Sequence, residues 1–354
     1  MARGNKKPAA AKPKPQRPAR TKEVENSDSK DSTLTVPLEL QQKCLEIFQR
    51  ALKPGEDDVR ILQEVKGHLY NRDFAAAFGK DNYLRVYASR WSPSRALGYL
   101  QVLIDVQDTL FESFQSGMDP QERPYKAVCL GGGAGAEVVA LGAWIHRKTS
   151  DPDELPVKHL QADFVDIAAW QSVVSSLHEA VTTPQELSKY ASAAAREANV
   201  AMVPPNAFVA GFNQIDVLAP DKSSWQERLE KVDLVTLMFT LNELYSTSMA
   251  KTQKMLAHIT DCLAPGANLL VVDSPGSYST VSINGAEKKY PMQWLLDFTL
   301  IGSQQQREDG DGSAKWEKLV SDESKWFRLP QGLKYSIELE NMRYQIHLYR
   351  RLQD

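Results

Sequence analysis

Val128-Cys129-Leu130-Gly131-Gly132-Gly133-Ala134-Gly135-Ala136-Glu137-Val138-Val139-Ala140-Leu141 decides how the rest of the sequence is read. A short apolar run enters a glycine turn and a helical apolar series leaves it, so strand, turn and helix follow in register. Glycines accept positive φ and admit a ligand without a Cβ in its way, and the first turn of the following helix offers unpaired amides. A nucleotide-like ligand suits such a turn. Gly131, Gly133 and Ala136 also match Gly-x-Gly-x-x-Ala, so a dinucleotide remains an alternative at this point, and a purely structural glycine turn is the plain one.

Outward from the turn, short apolar runs alternate with helical stretches, which is how a parallel sheet covered by helices is written. Strands are expected at Ala127–Leu130, Leu160–Val165, Phe208–Ala210, Leu234–Phe239 and Asn268–Asp273, with a helical insertion over 171–200. Within it, Thr183-Pro184-Gln185-Glu186 predicts a capped helix start. Tyr335–Leu339 and Tyr344–Tyr349 predict an antiparallel hairpin turning at 340–343. Upstream, Leu40, Cys44, Ile47, Phe48 and Ala51 share a helix face that stops before Pro54-Gly55. Leu97 to Phe114 mark a long helix opened by Arg90-Trp91-Ser92-Pro93-Ser94-Arg95. The expected fold is α/β and Rossmann-like, a mostly parallel sheet with a C-terminal antiparallel hairpin. The expected organisation is a disordered basic leader (1–36), a helical N-terminal extension or lid (37–118) and a catalytic domain (119–354). The polar stretch 304–312 is expected to be a mobile loop.

The ends of the second and third strands separate the ligand classes. Asp166 can accept two hydrogen bonds from a ribose diol, as it would with either NAD or an adenosyl cofactor. Asp216, after the third strand, suits the exocyclic amine of an adenine. Two acidic strand ends and a terminal hairpin favour S-adenosylmethionine over an NAD(P)-dependent oxidoreductase, with helix capping the competing role for each aspartate.

The 354 residues carry a formal charge of −3, so the totals give no polyanion footprint. Residues 1–22 hold eight lysines and arginines, no acid and four prolines, which reads as a targeting or RNA-tethering tail, or a solubilising leader. Cys44, Cys129 and Cys262 are too dispersed for zinc, and none of the six histidines has metal-ligand spacing. No metal is expected. No run nears the roughly 18 to 20 apolar residues of a membrane span, so the chain reads as soluble, intracellular and monomeric.

Val232 to Tyr245, containing Thr240-Leu241-Asn242-Glu243-Leu244, and Tyr87 to Leu97, containing Trp91-Ser92-Pro93-Ser94-Arg95, are more particular than the glycine turn. With it they resemble the fungal 25S ribosomal RNA (uridine-N(3))-methyltransferase family, a group of class I S-adenosylmethionine-dependent methyltransferases, over about residues 37–350. The resemblance implies methylation of uridine N(3) in ribosomal RNA or a preribosomal particle, in nucleus, nucleolus or cytoplasm. It also implies a cofactor pocket of Gly131, Gly133, Gly135, Asp166 and Asp216, with Asn242 and Glu243 beside the methyl group. Cys129 belongs to the first strand and Cys262 to a helix after the site, so neither lies where an acceptor would dock to activate a pyrimidine carbon, which favours a nitrogen or oxygen acceptor. Uracil N(3) must lose a proton; Glu243 is the candidate base and Asn242 its partner in orienting the ring, against a plain capping role for a helix starting near Thr247. Arg90, Trp91 and Arg95 are the candidate RNA contacts, among Arg85, Tyr83, Tyr87 and Tyr99; a lid packing its aromatics on the cofactor is the alternative. A second mixed patch, Trp316, Trp326 and Phe327 with Lys315, Lys318, Lys325 and Arg328, reads as core and rim. A noncatalytic ribosome-assembly protein retaining the fold is the remaining rival.

Overall fold

The computed structural model describes residues 36–115, 123–150, 157–276, 278–283, 286–302 and 314–353. Residues 1–35 of the basic leader and the 304–312 stretch lie outside the described residues.

Helices come first: α1 (Leu38–Leu52), α2 (Asp58–Tyr70), α3 (Phe74–Ala77) and α4 (Asp81–Gln115). Then β1 (Tyr125–Leu130), α5 (Ala136–Ser150), β2 (Leu160–Asp166), α6 (Gln171–Thr182), α7 (Ala193–Glu197), β3 (Phe208–Gln214), α8 (Lys222–Leu229) and β4 (Leu234–Met238) alternate. After α9 (Leu241–Thr247), α10 (Met249–Cys262) and β5 (Asn268–Asp273) come the strand pair β6 (Tyr278–Ile283) and β7 (Ala286–Pro291), then α11 (Met292–Ile301), β8 (Trp316–Phe327) and β9 (Met342–Arg351). The main sheet runs β3-β2-β1-β4-β5-β9-β8, parallel through β5, with β9 antiparallel to both neighbours. The parallel strands therefore present their carboxyl ends along one edge, where open α/β sheets bind ligands. Val128, Val235, Leu269 and Val271 are all at most 2 % exposed, as strands covered on both faces require. One buried cluster joins α1 and α4 to α5, α6 and a face of β1 and β2; a second lies under α8, α10 and α11. No helix among the described residues is long and apolar enough to cross a membrane.

Three expectations need correction. The antiparallel closure exists, but β9 pairs with Trp316–Phe327, and Tyr335–Leu339 is not a strand. Register shifts between Lys318 and Val320 and between Asp322 and Lys325 break the alternation of β8, which hid it from a period-two search. No helix starts at Thr183. Its hydroxyl donates back to Glu179 O at 2.6 Å, closing α6, and Pro184 acts as a stop rather than a first-turn proline.

The third concerns α4, which begins at Asp81 and passes through Pro93 without ending. Proline lacks the N–H that would bond the carbonyl four residues back, here that of Ser89. The Tyr335 hydroxyl supplies the missing donor, reaching Ser89 O at 3.0 Å. Thus the segment expected to form a strand instead repairs a helix. Tyr335→Phe is expected to lower unfolding stability by about 1 to 2 kcal/mol in urea melts, because it strands a buried acceptor. In a Pro93→Ala background the helix regains a backbone N–H that can donate to Ser89 O, and the same change should cost under about 0.5 kcal/mol. Equal costs in the two backgrounds would contradict this explanation.

Candidate active site

The glycine turn is shaped by the edges around it. Gly131 has φ +78° and donates its N–H to Val165 O at 2.7 Å, fastening the end of β1 to β2. A Cβ on Gly131 would lie 2.2 Å from Thr240 Oγ1, and one on Gly133 would lie 2.1 Å from Trp170 Cδ1. Gly135, at φ +81°, turns the chain into α5. Asp166 stands at the end of β2 and accepts from Gly133 N–H at 3.3 Å and Ala168 N–H at 3.1 Å. Burial raises its carboxyl above the usual range, and those amides pull it back. Asp216 follows β3, the neighbour of β2, and its Oδ1 accepts from Leu218 N–H at 2.9 Å. Beside Asp166, Ile167 is 64 % exposed, an apolar surface next to the acid. Bare backbone, two carboxylates and one apolar flank fit an adenosyl group: a diol on one acid, an adenine edge on the other, a ring face on Ile167.

The sequence offers Glu137 only as the last residue of the glycine stretch. Its carboxyl lies buried beneath the loop, 2.7 Å from where a Gly132 Cβ would stand, and accepts from the Thr236 hydroxyl. Burial pushes it up to about 7.

Helix α4 roofs the turn. Ser92 Oγ donates to Ala134 O at 2.6 Å, and Phe78, Tyr87, Trp91 and Trp170 form adjoining ring contacts with centroids 4.6 to 5.8 Å apart. Tyr87 and Trp91 thus pack into a ring cluster over the turn. Tyr83 and Tyr99 are buried, and Arg85 is ion-paired with Asp58.

Arg90, Trp91 and Arg95 instead come together in a cavity of about 180 Å³ between α4, the end of β4 and the segment leading into β9. Its floor includes Phe239, held at φ +58°, a conformation that bulky residues rarely adopt and that clusters at functional sites. The Arg95 guanidinium lies 4.9 Å from the Phe239 ring centre. Arg90 is ion-paired with Glu340, yet its Nη1 is buried without an acceptor. A buried donor of that kind on a cavity wall is one that a ligand oxygen can satisfy. A larger groove, about 840 Å³, opens beside α8 between Lys126, Asp163 and Arg228, away from the glycine turn.

Asn242 and Glu243 occupy the first turn of α9, the first half-buried and the second exposed, and neither lines the cavity. Between them and Arg95 stands Asp273, which sequence reasoning noticed only as a strand end. It accepts from Asn242 N–H at 3.0 Å and Ser274 N–H at 2.7 Å, capping α9. Burial and Glu243 push its carboxyl up to about 6, against the pull of its two amides and Arg95. Phe239, Glu340 and Arg343 were missed as well, since only the fold brings them to the cavity. Cys44, Cys129 and Cys262 are all buried. No group of three histidine, cysteine or acidic residues that could hold a metal occurs among the described residues.

Residues 47–350 match the Methyltransf_34 family model, described as a SAM-dependent methyltransferase. The 25S rRNA (uridine(2843)-N(3))-methyltransferase of Saccharomyces cerevisiae is 34% identical over 320 residues, covering 85% of this chain and 82% of its own. Among solved structures, an O-methyltransferase family protein from Burkholderia thailandensis aligns with TM-score 0.35 at 12% identity, over 78% of this chain and 62% of that one. Human N-acetylserotonin methyltransferase in complex with SAM aligns with TM-score 0.31 at 14% identity, over 79% and 59%.

Asp166→Asn is expected to weaken S-adenosylmethionine binding by about 10- to 100-fold in calorimetric titration, the worth of hydrogen bonds to a charged group. Gly133→Ala should abolish the ligand's thermal stabilisation, because its Cβ displaces Trp170 and the turn. Unaltered affinity in both variants would place the ligand elsewhere.

Proposed function

Because this chain belongs to the Methyltransf_34 family of SAM-dependent methyltransferases, we propose that it methylates N(3) of a uridine in large-subunit ribosomal RNA. The relative from Saccharomyces cerevisiae supports the acceptor class. The geometric observation that carries the reading is the small cavity against the end of β4, lined by Arg90, Trp91 and Arg95, with one guanidinium nitrogen lacking an acceptor. Ribosomal RNA or a preribosomal particle is then the partner, and the nucleolus or cytoplasm the place of work.

Gly131, Gly133 and Gly135 shape the turn that would hold the cofactor, with Asp166 taking its ribose and Asp216 its adenine edge. When bound, S-adenosylmethionine supplies an electrophilic methyl group, so the chain's own task is positioning and proton removal. A uridine turned out of its stack enters under α4 with its ring against Trp91. Loss of the N(3) proton spreads negative charge over O2 and O4, where Arg90 and Arg95 stabilise it in a site that α4 screens from water. Glu243 accepts the proton as the N(3)–methyl bond forms, and Asn242 orients the base edge. Asp273 acts through them, fixing the first turn of α9 by its bond to the Asn242 amide.

The test is transfer of labelled methyl from S-adenosylmethionine to unmodified large-subunit RNA, followed by nucleoside analysis; N(3)-methyluridine is expected, and any other nucleoside overturns the acceptor. Glu243→Gln should lower the single-turnover rate at neutral pH by about 10²-fold or more. Its residual rate should climb with pH as uracil ionises unaided, and more steeply than the native rate. Identical profiles would remove Glu243 as the base.

A further inference from the structure

The mixed patch near the C-terminus divides in the fold. Trp316 and Phe327 are buried, at 1 % and 7 % exposure, while Trp326 is 50 % exposed. The guanidinium carbons of Arg328 and Arg343 lie 5.0 and 5.7 Å from its ring centre. Arg343 stands directly across from Trp326 in the β8–β9 ladder and donates Nε–H to Ser324 Oγ at 3.0 Å, so the pair is held in place.

The charge on this cluster is not compensated. Arg60, Arg85, Arg90, Arg123 and Arg350 are each ion-paired with a carboxylate. Among the described residues, no carboxylate oxygen forms an ion pair with Arg328 or Arg343, and Glu340, in the segment that leads to β9, is engaged by Arg90. Two uncompensated cations around an exposed indole, in a chain of net charge −3, form a local feature that a base and its phosphates complement. Its position identifies the base: Arg343 also lines the cavity shared by Arg90, Trp91 and Arg95.

We propose that Trp326, with Arg328 and Arg343, is a stacking platform for an unpaired nucleotide flanking the target uridine, the guanidiniums meeting its phosphates. The platform rests on the RNA-acceptor reading and deepens it: the substrate is a single-stranded or splayed segment, engaged at two neighbouring nucleotides, rather than a duplex. Trp91 receives the reacting base and Trp326 its neighbour.

The experiment uses the full-length chain with two probes, labelled oligouridylate and an unmodified large-subunit RNA fragment. Trp326→Ala should raise Kd for oligouridylate and KM for the fragment by about 5- to 100-fold, the range for losing one stacked base. The kcat at saturating RNA and the affinity for S-adenosylmethionine should stay native, which also reports that the variant is folded, and Trp326→Phe should recover most of the loss. Removing both cations in Arg328→Ala/Arg343→Ala should flatten the slope of log Kd against log salt by about 1.4, two single-strand phosphate contacts. Native Kd and KM in Trp326→Ala overturn the platform, even where methyluridine is still made. Loss of oligouridylate binding in that variant, with a native protein that makes no methyluridine, sustains the platform and sinks the uridine reading alone.

Discussion

A proline in the middle of a helix leaves a carbonyl without a donor, and the way this chain fills that gap sets the geometry of everything near the glycine turn. The Tyr335 hydroxyl bonds Ser89 O where Pro93 cannot. Its neighbours complete the fastening: Ser92 Oγ donates to Ala134 O in the turn, and Ser94 Oγ accepts from Glu340 N–H before β9. The short stretch from Trp91 to Arg95 thereby ties α4 to the end of β1 on one side and to the antiparallel edge of the sheet on the other. The roof over the glycine turn and the walls of the small cavity beside it depend on one set of bonds.

The same fastening arranges charge. Arg95 is half-buried against Phe239 and Tyr87, and Asp273 is buried nearby with its carboxyl pushed up to about 6. In a site of low effective dielectric these groups interact more strongly than they would in water, and on the proposed reading the developing anion of a pyrimidine would meet guanidiniums already in position. Asp273 also caps α9, so the turn carrying Asn242 and Glu243 is coupled to a buried carboxylate that feels the Arg95 charge. Phe239, at positive φ, marks where the backbone is bent to make room.

Much of this was legible in the sequence, and the misses have physical causes. The five parallel strands announce themselves as apolar runs, and Asn268–Asp273 is found with its limits as expected. The glycine turn, Asp166 and Asp216 are local signals, each tied to a strand end. Arg90, Trp91 and Arg95 were singled out by their interleaving, and all three line one cavity. Glu137, Asp273 and Phe239 were not singled out, because their importance comes from burial and backbone strain. The strand β8 was hidden by its bulges, and the role of Tyr335 by the 246 residues that separate it from Ser89. Thr183-Pro184 shows a true ambiguity: a hydroxyl followed by proline can open a helix or close the one before it, and only the Glu179 carbonyl decides.

On the proposed reading the reacting base sits under α4, against the end of β4. Placing 4-thiouridine at the target position of a large-subunit RNA fragment, irradiating its complex with the protein and S-adenosylhomocysteine, and mapping the crosslinked peptide measures this directly. Adducts are expected within residues 90–95 or 239–243. Adducts confined to the groove beside α8, around Lys126 or Arg228, would contradict it.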